Sequence, residues 1–149
     1  MANVNERLRN AARAGSEVEL RALLPTSDAL AKDKDGVTAL MHAAENGHET
    51  CISLLLPASD ALAQDQFGKT ALMWAAWDGD QACVELLLPG SNTWAQDRNG
   101  LTASGLAANR GHESLAQLID AYALAQVERA ELEAQSGSGA PRRRAAPRV

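Results

Sequence analysis

The chain has 149 residues, 46% hydrophobic and 22% charged, which is typical of one globular domain. No apolar run approaches the roughly 18 to 20 residues that a membrane span needs, and the charged N-terminus does not resemble a secretory signal, so we expect a cytoplasmic protein. Four arginines lie in the last eight positions, whereas residues 1–135 carry ten basic and nineteen acidic groups, an acidic balance that disfavours nucleic acid as a partner of the folded part.

A sequence repeat of 32 residues organises the chain. The positions that recur at this spacing are Asp33, Asp65 and Asp97; Gly36, Gly68 and Gly100; Thr38, Thr70 and Thr102; Gly15, Gly47, Gly79 and Gly111; and Pro25, Pro57 and Pro89. They predict four units at about 1–32, 33–64, 65–96 and 97–121.

The first unit has the apolar spacing of two helices but lacks the Asp-x-x-Gly turn that begins the later units. Its apolar positions are Leu8, Ala11, Ala12, Leu20, Leu23 and Leu24. We therefore expect residues 1–32 to form the N-terminal cap of the stack.

The second unit shows the predicted order of elements. Residues 33–37 favour a tight turn, Thr38 is expected to cap a first helix, and Gly47 to end it in the left-handed conformation. A second helix should follow and stop at Pro57, because proline cannot continue the hydrogen-bond ladder. In the connections between units we expect Leu30, Leu62 and Trp94 to pack against the neighbouring unit.

The last helix is predicted to begin near Glu113 and to run for about 20 residues, since Ala121 replaces the recurring proline. A heptad-like series within it (Leu115, Leu118, Tyr122, Ala125, Arg129 and Leu132) leaves a coiled coil as an alternative to a simple capping helix. Residues 136–149 are predicted to be a disordered Gly/Ser linker followed by a tail rich in Arg and Pro.

Three segments, GVTALMHAAENGH, GKTALMWAAWDGD and GLTASGLAANRGH, each preceded by Asp at three residues, resemble ankyrin repeats. The resemblance is strong over residues 33–120 and weak over 4–32. It implies an all-α repeat solenoid: an ankyrin-like stack of about four helix-turn-helix units with hairpin-like tips and an extended C-terminal helix. In the first two segments Thr-Ala-Leu-Met stands where the family commonly has Thr-Pro-Leu-His, so we do not expect the histidine-mediated hydrogen bonds that link neighbouring turns in the family.

The residue types needed for catalysis or metal binding do not converge in this pattern. His48 and His112 occupy equivalent repeat positions, and His42 stands alone on the first helix of its unit. Cys51 and Cys83 occupy the same position of successive second helices, so their separation should exceed the reach of a disulfide. We expect no enzyme activity, no cofactor and no metal site.

Protein binding is the remaining use of such a stack, and the ankyrin resemblance implies a concave face built from tips and first helices. Positions on this face that differ between units are Lys34, Asp35, Val37, Glu45, Asn46, Gln66, Phe67, Lys69, Trp77, Asp78, Arg98, Asn99, Leu101, Asn109 and Arg110. Phe67 and Trp77 are the expected anchors, because exposed aromatic side chains in a groove commonly dominate binding energy. Packing of Trp77 over the helix end is the alternative.

These observations predict a monomeric, non-catalytic module that binds a protein partner as an adaptor or inhibitor. A second hypothesis is a translocated, effector-type protein whose arginine-rich tail serves as a targeting or secretion signal.

Overall fold

The computed structural model describes residues 3–137, which form a stack of paired helices. Eight α-helices occur in this part of the chain: α1 Val4–Ala14, α2 Glu17–Leu23, α3 Ala39–Glu45, α4 Glu49–Leu55, α5 Ala71–Asp78, α6 Gln81–Leu87, α7 Ala103–Asn109 and α8 Glu113–Gly137. None of them is both long enough and apolar enough to cross a membrane.

A threonine begins the first helix of each of the last three units. The side-chain oxygen of Thr38 accepts a hydrogen bond from the backbone N–H of Met41 at 3.3 Å, and Thr70 and Thr102 make the same cap one and two units later. Each cap satisfies a backbone donor that the helix itself leaves without a partner. The predicted cap at Thr38 is confirmed.

The second helices end just before the recurring proline. Helix α4 ends at Leu55, and a 3₁₀ turn, Leu56–Ala58, then takes up Pro57. Equivalent turns are Leu24–Thr26 and Leu88–Gly90. Proline is tolerated near the start of such a turn because its missing N–H would have no partner there.

The core lies between successive units. The first helices α1, α3, α5 and α7 pack on one another in order, the second helices α2, α4 and α6 do the same, and α8 packs on α7. The large side chains buried between them are aliphatic or methionine: Leu8, Leu20, Leu40, Met41, Ile52, Leu55, Leu72, Met73, Val84, Leu87, Leu106 and Ile119. Buried alanines beside them allow neighbouring helices to approach closely.

The expectation that Leu30, Leu62 and Trp94 pack against the next unit is wrong, because they are 54%, 58% and 64% exposed. Each follows a turn in which an Asp or Asn side chain two residues earlier accepts the backbone N–H of the exposed residue. Alanines such as Ala61 and Ala63 pack on the core instead. Within these connections the alanine side chains face the core and the larger apolar side chain points to solvent.

Helix α8 is longer than predicted. It spans 25 residues and includes Ser136 and Gly137, so it continues two residues past the predicted boundary at about 135. Its first half contacts the stack through Leu115 and Ile119, whereas residues 124–136 are all exposed. The predicted disordered tail, from residue 138 onward, lies outside the described residues.

Candidate interaction surface

The tips that precede α3, α5 and α7 are each shaped by one aspartate. In the third unit, Asp65 Oδ1 accepts the backbone N–H groups of Phe67 and Lys69, both at 2.9 Å. Asp33 and Asp97 make the same pair of bonds in their own units. Because one carboxylate oxygen accepts two backbone donors of the same turn, the tip backbone is fixed before any partner arrives.

Neighbouring tips are also joined to one another through the backbone. The N–H of Gln66 donates to the carbonyl of Asp35, and the N–H of Arg98 donates to the carbonyl of Phe67, each at 2.9 Å. The Gln66 side chain adds a bond to Asp35 Oδ1 at 3.2 Å. These bonds link the tips into one continuous edge. We call the surface built from the tips (33–37, 65–69 and 97–101) and the first helices α1, α3, α5 and α7 the tip face.

Phe67 stands at the middle of this edge and is 48% exposed. The ammonium of Lys69 lies 5.7 Å from the centre of its ring and 3.4 Å from Asp97 Oδ2. The Lys69 side chain is only 16% exposed, since its charge is directed at Asp97 of the next unit. Of the predicted binding residues, Lys69 is therefore committed to contacts within the stack.

Trp74 lies in the first half of α5, the half that is nearer to the tip. It is half-buried, and its Nε1 donates to Asp65 Oδ2 at 3.0 Å. The tip backbone donates only to Oδ1 of Asp65, so Oδ2 is available to accept the indole N–H of Trp74. Trp74 therefore supports the tip.

Trp77 lies at the end of α5 and is 37% exposed. The guanidinium of Arg110, which follows α7 in the next unit, lies 4.5 Å from the centre of its ring. A cation over an indole at an exposed site contributes about 0.5–1 kcal/mol. The structure thus brings together two residues of the predicted set and keeps part of the ring open to solvent.

The two aromatic side chains form separate contact points. Phe67 precedes α5 by four residues, and Trp77 is next to its last residue. At about 1.5 Å of rise per residue, Ala71 and Trp77 are roughly 9 Å apart along the helix axis. A partner that contacts both rings must extend along the first helix.

The other predicted residues divide by exposure. The side chains that point to solvent are Lys34, Glu45, Asn46, Gln66, Asp78, Arg98, Asn99, Asn109 and Arg110. Asp35 is half-buried, and Val37 and Leu101 pack partly against the core. These last two follow the tip directly, where the chain turns inward to begin a helix.

A cluster of basic side chains at the N-terminal end of the tip face was not predicted from the sequence. Arg9 and Arg13 of α1 line a groove with Lys32 and Lys34, at the junction of the first and second units, and Glu6 and Asp33 complete its charged lining. We call this the basic groove. The spacing of the two arginines by four residues places them on one face of α1, and this was the signal available in the sequence.

His42 lies beneath the basic groove and is buried. Its Nε2 is 3.2 Å from the guanidinium of Arg13 and 3.6 Å from Asp33 Oδ2. Burial lowers the pKa of His42, the charge of Arg13 lowers it further, and Asp33 opposes both effects. The described residues contain no group of three His, Cys, Asp or Glu side chains able to hold a metal ion.

The two cysteines are buried and unpaired. Burial, together with nearby carboxylates of which Asp80 is the first, raises the pKa of Cys83 to about 12. The thiol is therefore protonated at neutral pH, and neither a nucleophile nor a metal ligand is available there. Both cysteines fill the core, in agreement with their repeat position.

The comparisons with known proteins identify the repeat. A family model described as ankyrin repeats matches residues 8–97 in three copies. The match includes most of the first unit, where the sequence resemblance is weak, and ends at the first residue of the fourth. No curated protein matches the chain.

Proposed function

We propose that this chain, which belongs to the ankyrin-repeat family, binds a partner protein on its tip face, with Phe67 and Trp77 as the apolar anchors. Ankyrin repeats are general protein–protein interaction modules, and the proposal assigns that role to one surface of this molecule. An adaptor or an inhibitor of the partner would both act through such binding.

The exposure of Phe67 and Trp77 carries the proposal. The corresponding positions of the second unit are Asp35 and Glu45, and those of the fourth are Asn99 and Asn109, so a polar side chain satisfies the fold at these places. An aromatic ring that the fold does not require is a favourable contact for a partner.

Preorganisation supplies the mechanism. Because Asp65 and Asp97 hold the tips and backbone bonds join neighbouring tips, binding orders few additional groups. The Arg110 guanidinium limits the motion of the Trp77 ring in the same way. Little of the free energy gained by burying the two rings is then lost to ordering the surface, and most of it contributes to affinity.

Affinity capture from lysate of the native host tests the proposal. The wild-type chain is compared with Phe67→Ala/Trp77→Ala and with the control Leu62→Ala/Trp94→Ala, and retained proteins are identified by mass spectrometry. The control also removes two exposed apolar side chains, one of them a tryptophan, from the connections that follow the second helices. Circular dichroism verifies that all three chains are folded.

A protein retained by the wild type and the control but lost from the tip-face variant supports the proposal. If all three chains retain the same proteins, binding does not depend on Phe67 and Trp77 and the proposal fails. Equal loss from both variants also contradicts it, since the effect would then follow from general loss of apolar surface.

A further inference from the structure

The basic groove differs in charge from the rest of the molecule. Four cationic side chains and two carboxylates line it, whereas residues 1–135 as a whole carry an excess of nine negative charges. The groove has a volume of about 430 Å³, within the usual range for ligand-binding clefts. A local excess of positive charge on an acidic body marks where a negatively charged ligand would bind.

Among the described residues, no cation of the groove lies within ion-pair distance of a carboxylate. The guanidinium of Arg13 donates to Asn10 Oδ1 at 3.4 Å and lies against His42, and the Lys32 ammonium donates to the carbonyl of Gln64 at 3.2 Å. Within residues 3–137, Arg9 and Lys34 form neither an ion pair nor a side-chain hydrogen bond. All four cations retain donors for a ligand.

One of the two carboxylates is already engaged. Asp33 Oδ1 accepts the backbone N–H groups of Asp35 and Val37 at 2.8 and 2.9 Å, and its Oδ2 faces His42. The backbone bonds and the charges of His42 and Arg9 outweigh burial and lower the pKa of Asp33. This carboxylate serves the tip, and Glu6 is the other acid of the groove.

His42 lies at the base of the groove, where its Nε2 faces both Arg13 and Asp33. Burial is the largest cause of its lowered pKa, and the positive charges of Arg13 and then Arg9 add to it, although Asp33 acts against them. The charges of Arg9 and Arg13 both disfavour protonation of His42, so the positive potential of each arginine extends to the imidazole at the base of the groove.

From these contacts we propose that the basic groove binds an acidic segment, rich in Asp or Glu, of the protein partner. The inference rests on the proposed function and deepens it, because the groove lies at one end of the same tip face. Carboxylates of the segment would pair with the guanidinium groups of Arg9 and Arg13 and with the ammonium of Lys34.

The neighbouring surface favours a short peptide over a longer polyanion. Asp35 and Glu45 follow the groove along the tip face, and neither is part of it. A nucleic acid strand carries a phosphate at every nucleotide, so its continuation would meet these carboxylates. An acidic segment can end after a few residues and continue as an apolar chain toward Phe67.

Fluorescence anisotropy with labelled hexaglutamate as the probe tests this inference. The experiment uses the full-length chain with the four tail arginines replaced by alanine (Arg142→Ala/Arg143→Ala/Arg144→Ala/Arg148→Ala), so that the tail does not bind the probe. In this background Arg9→Glu/Lys34→Glu is compared with Arg21→Glu/Arg129→Glu, which changes the net charge equally at exposed sites outside the groove.

We expect the groove variant to bind hexaglutamate about tenfold more weakly than its parent and the control to change by less than about threefold. Affinity of the parent should fall as salt rises from about 0.1 M to 1 M, since the screening length shortens from about 10 to 3 Å. Equal weakening in both variants, or none in the groove variant, overturns the proposal.

Two further probes distinguish other polyanions: vesicles of phosphatidylcholine and phosphatidylserine, and a short single-stranded oligodeoxynucleotide. Tighter binding of either than of hexaglutamate overturns the assignment to an acidic peptide. The capture experiment with Phe67→Ala/Trp77→Ala is independent of this result. If hexaglutamate binding is unaffected by the groove variant while the tip-face variant still loses a partner, the inference fails and the proposed function stands.

Discussion

Single residues determine how closely the units approach one another. The glycine at the end of α5, Gly79, has φ of 84°, which favours glycine over any residue with a side chain. A Cβ at this position would lie 2.5 Å from the ring of His112 in the next unit. The glycine is therefore required twice, by its own backbone and by the neighbouring imidazole. Gly15 and His48 stand in the same relation two units earlier.

The two requirements can be separated with a matched substitution. Gly100 has nearly the same φ, 80°, but nothing lies within 4 Å of a Cβ placed there. We expect Gly100→Ala to reduce the free energy of unfolding by about 1–2 kcal/mol, the conformational cost alone. Gly79→Ala should lose more, because His112 must also move. Urea denaturation of both variants measures the difference, and equal losses would show that the imidazole adapts freely.

At the scale of the elements, burial separates helices that hold the stack from the part of α8 that extends beyond it. Leu87 on α6 is fully buried, whereas Leu124 and Leu132 on α8 are 61% and 65% exposed. The same aliphatic residue thus contributes to the core in one helix and faces solvent in another. The exposed half of α8 contributes little to the stability of the repeats.

We expect Leu87→Ala to lower the free energy of unfolding by about 2–5 kcal/mol, since it leaves a cavity in a packed core. Leu132→Ala, the same change at an exposed site, should alter it by less than about 0.5 kcal/mol. Chemical denaturation of each variant provides the measurement. A large loss at Leu132 would mean that α8 packs against another surface, such as a second copy of the chain, and would favour the coiled-coil alternative.

For the molecule as a whole, the dependence of stability on pH follows from a few groups in the turns and beneath the basic groove. The folded state lowers the pKa of His42 below its ordinary 6.5, mainly through burial and then through Arg13. It also lowers the pKa of Asp33 and of Asp97 below 3.8, where backbone hydrogen bonds outweigh burial. In each case the unfolded chain binds protons more readily than the folded chain does.

Stability should therefore decrease in two stages as pH falls. The contribution of His42 is complete above about pH 6.5 and is lost as pH falls toward its folded pKa, and those of Asp33 and Asp97 are lost below about pH 3.8. Urea titrations at a series of pH values test this expectation. In His42→Asn the decrease just below pH 6.5 should become shallower. An unchanged slope would show that His42 titrates alike in both states.

The sequence by itself determined the repeat, the order of helices and most of the core. Local chemistry is sufficient for these features: Thr38 caps a helix wherever helical residues follow it, and Leu55 and Leu87 are apolar at the spacing that one helix face requires. The exposed positions of Phe67 and Trp77 were also predictable, since they interrupt a repeat that is otherwise polar there.

Only the tertiary structure decided which side chains meet across units. Lys69 is committed to Asp97, 28 positions away in the chain, and Arg13 lies beside His42 because α1 packs on α3. The outward orientation of Trp94 and the joining of Arg9 with Lys34 into one groove also depend on how units stack. The repeat pattern shows where each unit begins and ends in the sequence. It does not show which side chains of neighbouring units touch, because packing sets the distances between residues that are far apart in the chain.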